Sequence, residues 1–316
     1  MSANTVPITA IVTAHKRTAQ TLSTLNSIRS CDPTPNEIIV HIDQNQTECA
    51  DAITESCPTV KTLVSSGHIG PGGGRNLLIK AAGNDIVASF DDDSYPIDAG
   101  YFARALELFK RFPEASIICA SLYHPGEPLE PELASAEWCA DFTGGACIYN
   151  RRRFLATGGY VPLAIAYGME ESDLALRLHA QGGRILRTKW LRVFHDTSLD
   201  RHADPEVTRN SVANLALLAY LRYPPLLWPL GIFQCANRVW WLITHGRWRG
   251  IGQGLLMIPS HLRAHESYKM RISPGSVRSY LALRRTPLEC DGLPSLCYSA
   301  SLDSTNLDGS HHQRPL

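Results

Sequence analysis

Four short apolar runs, ITAIVTA (8–14), EIIVHI (37–42), VKTLV (60–64) and DIVASF (85–90), recur through the first ninety residues, with helix-patterned segments between them. Behind the first run, Leu22, Leu25 and Ile28 fall on one helical face, with Thr18 placed to cap that helix. GRNLLIKAAG forms a helix between the last two runs. Strands that alternate with helices in this way pair in parallel, because a parallel pair needs a long crossover connection. The order therefore predicts an α/β fold, a mostly parallel sheet with helices on both faces. Such sheets bind ligands beyond the carboxyl ends of their strands. Four polar clusters stand there: Thr13, His15, Lys16 and Arg17 after the first run, Asp43 after the second, GHIGPGGGRN after the third, and Asp91, Asp92 and Asp93 after the fourth. All four are expected on one rim.

At 316 residues and 44% hydrophobic, the chain can bury a sizeable core. We expect a nucleotide-binding α/β domain over 1–205, a basic, aromatic helical appendage over 206–285 and a disordered tail over 286–316. The tail is rich in Ser, Asp, Gly and Pro. Formal net charge is zero but unevenly spread: residues 1–200 carry 17 Lys+Arg against 23 Asp+Glu, and residues 201–285 carry 12 against 3. That asymmetry suits an anionic neighbour for the appendage. LALLAYLRYPPLLWPLGIFQCANRVWWLI is strongly apolar, yet Arg222, Pro224, Pro225, Pro229 and Arg238 interrupt it. No run approaches the roughly 20 residues that span a bilayer. Packing against the core or lying on a membrane surface fits better than crossing one. Nucleic acid is not expected, since no nucleic-acid motif accompanies the basic segment. Nine cysteines without a C-x-x-C pair suit a reducing compartment. The basic residues near the N-terminus follow the first apolar run rather than precede it, the wrong order for a secretory signal. A cytoplasmic protein is expected, with peripheral contact at the inner face of the cytoplasmic membrane.

Three carboxylates at the end of a buried strand, in IVASFDDDSYP, must be solvated or neutralised. In a tight turn Asp91 and Asp93 share a side, so one can grip a divalent cation while the other holds a sugar hydroxyl. The glycines of GHIGPGGGRN let backbone N–H groups approach an anion at a helix N-terminus, and Arg75 adds a forked phosphate donor. A purely structural turn explains those glycines equally well. No Gly-Lys-Ser/Thr follows, which excludes a P-loop, and the dinucleotide glycine spacing is absent. Asp43 is either a turn residue or an acceptor for a ribose or base N–H. Glu170, Glu171 and Asp173 open a helix ended by Gly182. They either complement the helix dipole or supply a general base. His195 is either a packed residue or the imidazole that completes a Mn²⁺ shell.

In order along the chain, ITAIVTAHKRTAQTLSTLNSI, the Asp43 strand end, GPGGGRN, FDDDSYP, FTGGACIYNRRRFLATGGY and GMEESDLALRLHAQGGRI resemble the family-2 glycosyltransferases of GT-A fold. The resemblance runs from about residue 7 to about 202, and weakly on to about 222. It implies a metal-dependent, inverting transfer of a hexose or deoxyhexose from a nucleotide-diphosphate sugar to a hydroxyl of a glycan or lipid-linked saccharide, as in cell-envelope polysaccharide synthesis. It places Thr13 and Arg17 near the nucleotide, Asp43 on the base, and Arg75 and Asn76, beside Gly74, at the diphosphate. Asp91 would touch the ribose, and Asp92 is grouped with it without a role of its own. Asp93, with Asp91 and His195, would hold Mg²⁺ or Mn²⁺. Gly144 and Gly145 would lie under the donor sugar and acceptor. The base would be Glu171, or Glu170. Two departures stand out: Glu171 occupies a position that is usually Asp, and QNQTE follows Asp43 where Asp-Gly-Ser types are usual. A sugar-phosphate nucleotidyltransferase would want a glycine-rich basic loop after the first strand, where AHKRTAQT stands. An inactive nucleotide-sugar-binding protein would have no need of Asp91, Asp93, Glu171 and His195 together.

Overall fold

The computed structural model describes residues 4–130, 135–165, 167–197 and 204–290. The four apolar runs become β1 (Thr5–Ala14), β2 (Thr34–Ile42), β3 (Lys61–Val64) and β4 (Ile86–Asp91). They pair in parallel in the spatial order β4-β1-β2-β3. The connections are α1 (Thr18–Arg29), α2 (Thr47–Ser56) and α3 (Gly70–Ala81). β1 is continuously buried from Ile8 to Ala14 because both its faces are covered. Ile8, Ala10 and Val12 pack with Leu25 and Ile28 of α1, while Ile11 packs on the other side with Leu78 and Ile79 of α3. This is the two-residue alternation of a strand inside a three-layer stack. The N-cap position of α1 is Arg17, with no side-chain cap. Thr18 is the first helical residue rather than the cap, and Thr21 closes the turn by donating its hydroxyl to the Arg17 carbonyl at 2.9 Å.

Beyond β4 come β5 (Ser94–Pro96), α4 (Tyr101–Arg111), β6 (Ala115–Tyr123), β7 (Ala136–Cys139), β8 (Ala146–Asn150), α5 (Arg151–Ala156), α6 (Glu170–Ala180) and β9 (Arg184–His195). β8 runs antiparallel between β4 and β6, β9 lies parallel to β6, and β7 and β5 pair antiparallel with β9. The sheet is thus mixed but mostly parallel in direction. α6 ends as its sequence requires: Gly182 turns left-handed at φ 78°, and Gly183 N–H donates to the Leu178 carbonyl at 2.8 Å.

Four helices follow: α7 (Pro205–Arg222), capped by the Asp204 side chain, α8 (Trp228–Thr244), α9 (Ile251–Ala264) and α10 (Pro274–Arg285). Among the described residues no helix is long and apolar enough to cross a membrane. The appendage is bound into the domain. Val277 and Tyr280 of α10 join the core cluster that contains Leu174 of α6. Arg222, at the end of α7, ion-pairs with the fully buried Asp173 of α6, which also holds Arg177 at 2.6 Å. β10 (Leu288–Glu289) pairs antiparallel with β7, inside the segment expected as a tail; residues 291–316 of that segment lie outside the described residues.

Candidate active site

Parallel register sets Thr13 opposite Asp91 on one side and His41 on the other. The Thr13 hydroxyl donates to Asp91 Oδ1 at 3.1 Å. The strand ends thus converge on a cavity of about 580 Å³, walled by Thr13, Asp43, Arg75, Asp91, Glu170 and Glu171 among others. Among the described residues, the non-glycine residues in left-handed conformation are Lys16, Gln44 and Asn45, all in the loops that follow β1 and β2. Such backbone strain persists where surrounding contacts enforce it, and here Lys16 N–H donates to Gln46 Oε1 at 2.7 Å.

Arginines resolve the repulsion in Asp91–Asp93. Arg17 bridges Asp92 and Asp93, with Nε donating to Asp92 Oδ2 at 3.1 Å. Arg75 pairs with Asp91, the one member of the three that is appreciably open, at 29% exposure. Asp92 also accepts the His15 N–H at 3.1 Å, which ties the end of β1 to this turn. Burial pushes the Asp92 carboxyl up to about 6, against the pull of Arg17. Burial likewise opposes charge on Asp93, but His195 and Arg17 outweigh it and hold that carboxyl below its ordinary value. The β5–β9 pairing sets His195 opposite Ser94, with Nε2 at 3.2 Å from Asp93 Oδ1. Asp93 and His195 therefore meet, next to Asp92 of the cavity lining, while Asp91 pairs with Arg75 and Thr13. Among the described residues the one His/Asp triad close enough to share an ion is a different one: His15, Asp43 and His68.

Within that triad Asp43 is already satisfied, while His15 Nδ1 is buried without a hydrogen-bond partner. Asp43 Oδ1 accepts from Gln44 N, Ser65 Oγ and Ile69 N at 3.1, 2.9 and 3.1 Å. Oδ2 accepts from His68 Nδ1 at 2.7 Å and Gly70 N at 3.1 Å. Five donors on the roughly four lone-pair sites of a carboxylate leave Asp43 none for a metal. Burial alone would raise this carboxyl; the bonds from Ile69, His68, Ser65 and Gly70 outweigh it and lower it. Asp43 organises the loop between β3 and α3 and fixes His68, whose ring centroid lies 5.1 Å from that of His15 on the cavity wall.

On the opposite wall, α6 begins with the paired carboxylates. Glu170 is buried and reaches Arg75 Nη1 at 3.2 Å, while Arg75 Nε donates to Ser89 Oγ at 3.2 Å. A Cβ at Gly72 would run into the Glu170 carboxylate, so only glycine lets α3 pass this close. Glu171 is half-buried and accepts from Gly144 N at 3.4 Å. Burial raises both carboxyls; for Glu170 the neighbouring Glu171 adds to the rise and Arg75 opposes it.

The remaining expected residues divide. Arg17, Asp92 and Gly145 line the cavity with those above. Gly74 is buried in α3 against His41, and Asn76 clasps the Tyr160 backbone at 2.9 and 2.8 Å. Gly144 accepts from Ser89 Oγ through its carbonyl at 2.7 Å. The sequence reading passed over Thr143, Tyr167 and the role of His68, which all line the cavity. His68 stood inside GHIGPGGGRN, but the glycines dominated that stretch.

Residues 9–164 match the family described as glycosyl transferase family 2, and residues 131–199 match the N-terminal domain of galactosyltransferase. The chain carries a family-2 glycosyltransferase domain. A search of curated proteins finds no significant match to the sequence. Solved structures agree on the GT-A fold of this glycosyltransferase. The mannosyltransferase PcManGT from Pyrobaculum calidifontis, in complex with GDP-Man and Mn²⁺, superposes with TM-score 0.54 at 14% identity, covering 88% of this chain and 86% of that one. S. aureus TarS 1-349 with UDP-GlcNAc gives 0.52 at 14%, covering 82% and 83%. GalNAc-T7 with UDP, GalNAc and Mn²⁺ gives 0.54 at 14% over 70% of this glycosyltransferase, which spans about half, 48%, of the GalNAc-T7 chain. At this identity the likeness is one of fold.

Proposed function

We propose that the protein transfers a hexose or deoxyhexose from a nucleotide-diphosphate sugar to a hydroxyl of a glycan or lipid-linked saccharide, with inversion and with Mg²⁺ or Mn²⁺. The observation that carries this reading is Glu171: a half-buried carboxylate of raised proton affinity on the wall of the cavity where Asp91 and the strand ends converge. A group with those properties suits a general base. It accepts the proton of the attacking hydroxyl as the new bond to the anomeric carbon forms and the bond to the nucleoside diphosphate breaks. Glu170, buried against Arg75, holds that guanidinium in place instead. Arg17, which lines the cavity beside Asp92, would meet the diphosphate, and His15 with His68, the latter held by Asp43, would meet the nucleoside.

The residues fit a divalent cation. Asp93 Oδ1 is buried without a hydrogen bond, and the His195 ring stands beside it. Asp93 and His195 would hold the ion, an oxygen–nitrogen pair suited to Mg²⁺ or Mn²⁺. A cation held by Asp93 and His195 would supply charge neutralisation to the departing diphosphate. For the acceptor, the apolar and basic helices after residue 205 favour a saccharide carried at a membrane.

A thermal-shift and turnover screen of nucleotide sugars with Mg²⁺ or Mn²⁺ tests the reading. Glu171→Gln should abolish transfer while leaving donor binding intact, and Asp93→Ala should weaken metal-dependent binding as well. Full turnover by Glu171→Gln overturns the base assignment.

A further inference from the structure

α8 and α9 are inside-out for a water-facing helix pair. Of α8 only Gly231 and Leu242 are buried, and of α9 only Ile251 and Gly254. A Cβ at Gly231 would lie 2.6 Å from that of Ala219, so α8 meets α7 there through small residues, and further along Leu242 and Val239 pack with Val212 of α7. Ile232 is 71% exposed and Leu256 83%, and Phe233, Trp240 and Trp248 are exposed beside them. Between α7, α8 and α9 runs a groove of about 800 Å³, lined almost wholly by apolar side chains such as Ala216, Ile232, Val239, Trp240 and Leu262. An apolar face of this extent marks a contact surface.

Charge selects the occupant. From residue 207 to residue 265 the sequence contains no Asp or Glu; of its arginines Arg222 is buried against Asp173 and Arg209 pairs with Glu206, which leaves Arg238, Arg247, Arg249 and Arg263 without a carboxylate on these helices. A second copy laid face to face would set arginine against arginine with no carboxylate to pair. An anionic surface meets no such penalty. Four of the chain's six tryptophans stand at 228, 240, 241 and 248, and guanidinium groups lie over their rings: Arg238 at 4.7 Å from Trp241 and Arg249 at 5.6 Å from Trp248. Aromatic rings and long basic side chains on an apolar helix face are the chemistry of the lipid headgroup boundary.

We propose that α8 and α9 dock on an anionic lipid leaflet, with one hydrocarbon chain lying in the groove between α7, α8 and α9. The docked helices border the catalytic mouth. Asn214 of α7 donates to the carbonyls of Ile165 and Tyr167, residues of the cavity wall, at 2.9 and 3.1 Å, and pairs with His261 of α9 at 2.9 Å. A leaflet held there presents a lipid-borne molecule beside the rim that carries Glu170 and Glu171.

Flotation of the full chain with vesicles tests this without reference to sugar transfer, so the result stands apart from the catalytic reading. The protein should float with vesicles of mixed phosphatidylglycerol and phosphatidylcholine, and roughly tenfold more weakly with phosphatidylcholine alone. Ile232→Glu/Leu256→Glu, both outward-pointing, should float with neither while keeping its thermal transition. Three results overturn the proposal: no flotation with the anionic vesicles, equal flotation with both vesicle types, or a solution dimer that the double substitution dissociates.

Discussion

Arg75 Nη1 lies 3.2 Å from Glu170 Oε1, and the same guanidinium pairs with Asp91, so one buried arginine from α3 joins the aspartate turn to the first residue of the carboxylate helix. The link reaches from the family-2 sheet to α6, 95 residues further along the chain. Arg75→Met should therefore cost about 3–5 kcal/mol, because it strands a buried charge rather than merely deleting a bond. Glu170→Gln, which keeps a hydrogen-bond acceptor for Arg75, should cost less. Urea unfolding of the two variants checks the order.

The acidic limb of the kcat/KM profile should lie above 4.5, the ordinary value for Glu, since burial raises the Glu171 carboxyl and its protonated form cannot accept the hydroxyl proton. Arg75 opposes that rise, so Arg75→Met, where it folds, should move the limb to still higher pH. A limb at or below 4.5 contradicts a buried carboxylate base.

Asp43→Asn should destabilise the protein at neutral pH by about 1–3 kcal/mol, since the carboxylate accepts five hydrogen bonds and an amide NH₂ would face some of those donors. The folded-state carboxyl sits below its unfolded value of 3.8. Its contribution is therefore complete above that pH and lost as pH falls through the folded value. Denaturation curves of wild type and variant should converge as pH drops below 3.8.

Asp173→Asn should be more damaging than Arg222→Met. The first leaves two buried guanidinium groups, Arg177 and Arg222, facing an amide, at about 3–5 kcal/mol; the second leaves Asp173 still paired with Arg177 at 2.6 Å. Thermal unfolding of the two single variants gives the order, and the reverse order contradicts the shared-aspartate arrangement.

Local pattern made the first half of the fold legible. The apolar runs at 8–14, 37–42, 60–64 and 85–90 became β1 to β4, each within a few residues of its expected bounds, and Gly182 ended α6 as expected. β8 was hidden because ACIYN is five residues long and lies inside a stretch read for its glycines. In the site, the strand-end rule brought Thr13, Asp43, Asp91 and the GHIGPGGGRN loop to one cavity. Partner choice was not readable: Asp92 and Asp93 share Arg17 across 75 and 76 residues, and no local spacing encodes that.

The sequence by itself determined the strand and helix periodicity, the order of the elements and which residue types stand at the strand ends, because those depend on neighbours a few positions apart. Tertiary structure alone decided which carboxylate meets which base. Asp43 went to the backbone of the loop after β3, Asp93 to His195 and Arg17, Glu170 to Arg75, and Glu171 to the open cavity. Burial and the position of each arginine set those fates, and both are properties of chain segments packed together from far apart in the sequence.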